Sequence, residues 1–172
     1  MSKMYYKFLR VFEWFRYNFP AGLKNLPLWF KVIWRDRNYD YFYIYKILQH
    51  KLKLMEEHIR VRNNHVEAQR DAQQIRVCLD LLNHLIGDDY ENTLRYFHTL
   101  KWGEFNYKFV PVGDRTGYSK MEVSYTKAKT PEEAAQADKE SHEIFTKVEA
   151  FKKRCRKLLF KLMANHIEGW WD

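Results

Sequence analysis

YFYIYKILQHKLKLMEEHIRVR at residues 41–62 and AQRDAQQIRVCLDLLNHLI at residues 68–86 decide the fold class. In the first stretch Tyr41, Ile44, Leu48, Leu52, Met55 and Ile59 recur every three or four positions, and in the second Ala68, Ala72, Ile75, Leu79, Leu82 and Ile86 do the same. That spacing lays one apolar stripe along an α-helix and leaves the remaining faces polar. Asp40 stands ahead of the first helix with a side-chain oxygen suited to an N-cap. Asn63 and Asn64 close it, and Gly87 follows the second as a C-cap. A short polar link between the two predicts an antiparallel hairpin.

Working outward, Thr130-Pro-Glu-Glu133 combines an N-cap hydroxyl, a first-turn proline and a glutamate three residues on, which marks a helix start. Ile144, Val148, Phe151, Cys155, Leu158, Leu162 and Ile167 continue from it as one stripe. Unbroken, a helix over 131–167 spans about 55 Å. Asp88-Asp89-Tyr90 opens a shorter helix that reaches Trp102-Gly103, its two acids favouring the start of the helix dipole. Between 104 and 126 the period changes to two, in Phe105, Tyr107, Phe109 and in Met121, Val123, Tyr125, with Pro111, Gly113, Asp114 and Gly117 between them. This predicts a small hairpin or irregular excursion. Near the N-terminus Met4, Phe8, Val11, Phe12, Phe15 and Phe19 keep helical spacing; Pro20 and Gly22 then break the pattern, and a short helix follows Pro27.

The expected architecture is therefore mainly α: a bundle of four to five helices with a β-hairpin or irregular excursion near 104–126. A chain of 172 residues that is 46% hydrophobic suits one domain over 1–172 and can bury a core. No apolar run is long enough to predict a membrane span. Cys78 and Cys155 sit in helical apolar patterns and form no disulfide framework, which suits a reducing cytosol. Trp170 and Trp171 carry enough apolar area to be expected to pack back onto the body.

Charge is unevenly placed along a chain of net +8. Residues 1–40 hold eight Lys/Arg and three acids, and residues 147–161 hold seven Lys/Arg against Glu149 alone, so the rest is slightly acidic. Concentrated positive charge attracts anionic partners. Catalytic constellations, by contrast, are absent from the sequence. The histidines at 50, 58, 65, 84, 98, 142 and 166 form no HExxH and have no glutamate three positions before them. Neither cysteine has zinc-ligand spacing, and no Walker or GxGxxG loop occurs. The sequence thus predicts a protein that is no enzyme, with no metal and no cofactor. What stands out is aromatic and basic: Lys24, Asn25, Trp29, Trp34, Arg35 and Arg37 fall within fourteen residues. Arginine pairs bidentately with phosphate, and flat rings stack on bases.

The block Lys24-Asn-Leu-Pro-Leu-Trp-Phe-Lys-Val-Ile-Trp-Arg-Asp-Arg-Asn-Tyr-Asp40, followed by helical stretches at Tyr43–Ile59 and Ala68–Asp89, resembles a group of small bacteriophage proteins. The resemblance covers roughly residues 20–95. It implies a phage origin, hence the cytoplasm of an infected bacterial host, and no site residues. In that setting small proteins without catalytic motifs often bind host factors or nucleic acid, or sequester nucleotide immune signals. The expectation is a non-enzymatic counter-defence sponge for an anionic, nucleotide-type small molecule. Lys24, Arg35 and Arg37 would hold phosphate, Trp29 and Trp34 would stack on the base, Asn25 would be a further ligand-binding residue, and a homo-oligomer would complete the pocket. The alternatives are a nucleic-acid-binding accessory protein and an inhibitor that masks a host factor.

Overall fold

Among the described residues the chain is helical wherever apolar residues recur every three or four positions; Met4, Phe8 and Val11 lie outside them. The computed structural model describes residues 10, 12–37, 39–63, 65–113 and 117–170. Among these are five α-helices, α1 (Phe19–Ile33), α2 (Phe42–Arg62), α3 (Ala68–Ile86), α4 (Asp89–Trp102) and α5 (Pro131–His166), and an antiparallel pair of strands, β1 (Phe105–Pro111) and β2 (Ser119–Tyr125). The mainly helical fold with a small hairpin is as the periodicities predict. The chain forms two compact units, residues 1–51 and 52–172.

In the second unit α5 packs against α3, α4 and the end of β2. The buried line on α3 runs Ala68, Asp71, Ile75, Cys78, Leu82, Leu85, with Ala72 beside it. Its steps alternate three and four, the repeat of helices that wind around a common seam. The sequence stripe, read at the period of a straight helix, named Leu79 and Ile86 in place of Cys78 and Leu85. Leu79 and Ile86 lie half-buried at the edge of that line. On α5 the buried residues are Ala137, Ile144, Val148, Cys155 and Leu159. Leu158, expected in the stripe, is 46% exposed, while Leu159 is fully buried at 0%. Ile167 is exposed, beyond the helix in a terminal 3-10 turn, Ile167–Gly169.

Polar contacts hold these helices in register. Arg76 Nε lies 2.7 Å from Glu56 Oε1. Glu56 is six residues before the end of α2 and Arg76 eight into α3, which only antiparallel helices bring together. Asn63 ends α2 at a positive φ of 49°, its N–H on the Ile59 carbonyl at 3.0 Å. Asp40 caps α2 as expected, accepting from the Phe42 N–H at 2.9 Å. Asn64 lies outside the described residues. Gly87 does cap α3, donating to the Asn83 carbonyl at 2.8 Å, though with extended backbone. Asp88 makes no side-chain cap; its carboxylate accepts from Lys152 Nζ at 3.1 Å. Thr130 and Glu133 form the reciprocal capping box that starts α5. Trp170 is 4% exposed and its indole N–H donates to Gln74 Oε1 at 3.0 Å, so it packs back; Trp171 lies outside the described residues.

Gly103 ends α4 at φ +81°, a conformation that only glycine adopts readily, and a Cβ there would meet the Thr126 side chain and the Lys127 backbone. The chain then enters the hairpin, with Phe105 opposite Tyr125, Tyr107 opposite Val123 and Phe109 opposite Met121. All six share one face of the ribbon because side chains alternate along a strand. Tyr125 is buried at the base, while Tyr107, Phe109 and Met121 are exposed.

In the first unit a π-helical turn, Trp14–Asn18, leads into α1. The sequence predicted a break at Pro20 and Gly22 and a short helix after Pro27. Instead α1 runs from Phe19 through all three to Ile33. Pro20 follows closely on the π-turn, whose wider winding carries the helical run past the residue that lacks an N–H. Pro27 removes one bond, to the Leu23 carbonyl. No residue of α1 is buried, so water satisfies what the proline leaves open.

The one-residue displacement on α5 has a measurable consequence. Leu159→Ala should lower unfolding free energy by about 2–5 kcal/mol, and Leu158→Ala by less than about 1 kcal/mol, in denaturant titrations. Equal losses at the two positions would contradict the buried line described for α5.

Candidate functional site

Helix α1 carries the largest run of unburied apolar side chains. Gly22, Asn25, Leu26, Trp29, Phe30, Ile33 and Trp34 line a groove of about 510 Å3 along it. Their spacing of three and four places all of them on one side of the helix. The Trp34 ring stacks on Phe30, centroids 5.2 Å apart and planes 30° apart. The Trp29 ring meets the His50 ring of α2 edge-on at 4.9 Å. Phe30 is 59% and Trp34 73% exposed.

The six residues that the sequence grouped divide here. Asn25, Trp29 and Trp34 line the groove together, and Lys24, Arg35 and Arg37 do not. At about 100° per residue, Lys24 lies about 140–180° around the helix from Leu26, Trp29 and Ile33. Lys31, seven positions on, shares its face, and Arg35 prolongs that face past the C-cap Trp34, its N–H on the Val32 carbonyl at 3.3 Å. Arg37 donates from a guanidinium nitrogen to the Asp36 carbonyl at 3.0 Å. Among the described residues, none of Lys24, Lys31, Arg35 and Arg37 is in an ion pair. All four are exposed.

The resulting geometry is amphipathic. One side is a broad aromatic and aliphatic stripe, and on the other Lys24, Lys31 and Arg35 share a row with Leu28, which is 47% exposed. Sequence reasoning overlooked Leu26, Phe30, Ile33 and Lys31. The signal for them is the run Phe19, Leu23, Leu26, Phe30, Ile33, which keeps helical spacing straight through Pro20 and Pro27.

Other polar clusters are already occupied by internal partners. Between α4 and α5, Glu140 accepts from Lys101 Nζ at 2.7 Å, from the Trp102 indole N–H at 2.7 Å and from Gln136 at 2.9 Å. The Lys101 contact, then Gln136 and Trp102, hold the Glu140 carboxyl down at about 2. Asp71, buried in the α3 seam, lies 3.1 Å from His65 Nε2 and 3.5 Å from Arg70 Nε. Burial pushes the Cys78 thiol up to about 11 and raises Cys155 as well, which keeps both in the unreactive protonated form. No group of three or more His, Cys, Asp or Glu among the described residues is placed to hold a metal ion. On the basic stretch of α5, Lys152 pairs with Asp88, while Lys153, Arg154, Arg156, Lys157 and Lys161 are exposed.

The chain matches no family model, no curated protein and no solved structure. Its functional reading rests on its own geometry. No helix among the described residues is long and apolar enough to cross a membrane.

The Glu140 cluster gives a pH signature. A carboxyl lowered from 4.5 to about 2 on folding contributes stability above the higher value that is lost as pH falls through the lower. Glu140→Gln, which cannot titrate, should flatten the melting temperature's dependence between pH about 4.5 and about 2 relative to wild type. Identical pH profiles would show that Glu140 is not held in this way.

Proposed function

We propose that this is a non-enzymatic binding protein that engages a negatively charged partner by laying helix α1 against it. The carrying observation is the separation of aromatic stripe and cations onto opposite sides of one exposed helix. From Trp14 to Arg35 the chain has Arg16, Lys24, Lys31 and Arg35 and no acid. Among the described residues Lys24, Lys31 and Arg35 make no ion pair and so remain available to an external anion, and desolvating one without an anion would be costly.

A nucleotide-type ligand is the second reading, and the groove favours it. Its volume of about 510 Å3 is in the range of small-molecule sites, and Asn25 beside Trp29 and Trp34 suits a flat ring. The phosphates would then have to reach Lys24 or Arg35 around the helix, so this reading draws less support from the geometry. A phage protein in a bacterial cytoplasm, acting as a counter-defence sponge, is the setting in which such a ligand would matter.

The test measures tryptophan fluorescence and anisotropy of the purified protein against heparin, short DNA, and mono-, di- and cyclic nucleotides. Binding to the polyanions that weakens steeply with salt and is lost in Lys24→Glu/Lys31→Glu/Arg35→Glu is the expected result. Binding of one nucleotide that Trp29→Ala abolishes and salt barely changes would replace it with the sequestering reading. No response to any anion, vesicles of anionic lipid included, would overturn both and direct attention to a protein partner, for which the exposed hairpin face of Tyr107, Phe109 and Met121 is the available surface.

A further inference from the structure

Resting on that reading of α1, we infer that the anionic partner is a lipid surface, with α1 lying in the plane of the headgroups. Phe19, Leu23, Leu26, Phe30 and Ile33 follow one another at steps of four and three and are all exposed, from 44% for Phe19 to 64% for Leu26. Trp14, Phe15 and Tyr17, in the π-turn ahead of them, are exposed too. Opposite lie Lys24, Lys31 and Arg35. Apolar and aromatic side chains on one face, cations on the other and few acids describe a helix that rests in a membrane interface. Tryptophan and tyrosine favour the headgroup level, since each joins a large apolar ring to a polar edge.

Charge and shape together select this occupant over the others. A nucleic acid would satisfy Lys24, Lys31 and Arg35 and leave the apolar stripe in water. A second copy paired α1 to α1 would cover the stripe and leave the cations unanswered, because residues 14–35 hold no acid to meet them. Positions flanking the seam of paired helices usually carry complementary charges; here the flanks are Pro20, Gly22, Pro27, Trp29 and Trp34. An anionic leaflet answers both faces at once: the stripe enters the acyl boundary, while long lysine and arginine side chains reach phosphate from the opposite side. A fluid surface also adapts to the π-turn and to Pro27, which a rigid protein groove would have to match.

The test is co-sedimentation of the full chain with vesicles of phosphatidylcholine alone and of equal parts phosphatidylcholine and phosphatidylglycerol, with tryptophan emission recorded alongside. The expected outcome is pelleting with the anionic vesicles, a blue-shifted emission, and at least about tenfold weaker partition to the neutral ones. Leu26→Ser/Phe30→Ser and Lys24→Glu/Lys31→Glu should each reduce partition about tenfold or more. All four positions are exposed, and unchanged far-ultraviolet circular dichroism would show that the variants fold. Equal partition to both vesicle types, or to wild type and the charge variant, overturns the inference. So does concentration-dependent self-association that the serine variant abolishes and the charge variant leaves intact. No vesicle binding alongside salt-sensitive heparin or DNA binding sinks the lipid inference and leaves the anion-binding reading standing; no binding to vesicles, heparin, DNA or nucleotides sinks both.

Discussion

The alternation of three- and four-residue steps along α3 is the constraint on which the second unit depends. It keeps Ala68, Asp71, Ile75, Cys78, Leu82 and Leu85 on a single line, and α5 packs against that helix. Alanine and cysteine fill several positions of the two seams, Ala68, Ala72 and Cys78 on α3 and Ala137 and Cys155 on α5, and small side chains let helix axes approach closely. The same line carries Asp71 into the interior. A buried carboxylate is tolerated only with partners, and His65 and Arg70 beside the α2–α3 connection supply them. One periodicity therefore sets the packing of the helices and the polar contact that secures the turn leading into α3.

With 36 residues, α5 is long enough to meet α3, α4 and the end of β2 along its length. Near its N-terminal part the His98 ring lies 2.9 Å from the Ala137 carbonyl, and Lys101 and Trp102 close on Glu140. Further along, Tyr90 and His84 meet the Phe151 ring, at 4.4 and 5.3 Å between centroids, and Asp88 meets Lys152. These contacts commit the polar side chains between α4 and α5 to structure. An isolated two-stranded hairpin is marginal in water; β1 and β2 are anchored through the buried Tyr125 and through the turn at Gly103, which leaves the outer part of their apolar face uncovered.

The first unit follows a different logic. Its helix α1 buries no residue, yet it is among the most apolar stretches of the chain. A helix of this kind gains little from the chain's own core, and its apolar side chains stay in water until a partner covers them. The cations on its far side form no ion pair among the described residues either. Both halves of its amphipathic character therefore look outward, and together they define the partner more narrowly than either would alone.

Much of this was legible in the sequence. The positions of α2, α3 and α5, the capping box at Thr130 and Glu133, the cap at Asp40 and the alternation of the hairpin all depend on neighbours a few residues apart, which the sequence displays directly. The aromatic and basic character of residues 24–37 was equally plain. Three features were decided only by tertiary structure. Packing between helices fixed the exact buried line, which falls on Cys78 rather than Leu79 in α3 and on Leu159 rather than Leu158 in α5. The persistence of α1 through Pro20, Gly22 and Pro27 depends on a π-turn ahead of it and on open access to water, neither of which residue propensities encode. The division of Lys24 from Trp29 depends on that same continuity: a broken chain could fold both around one ligand, whereas a continuous helix at about 100° per residue sets them about 140° apart, and Arg35 and Arg37 follow its last residue, Ile33.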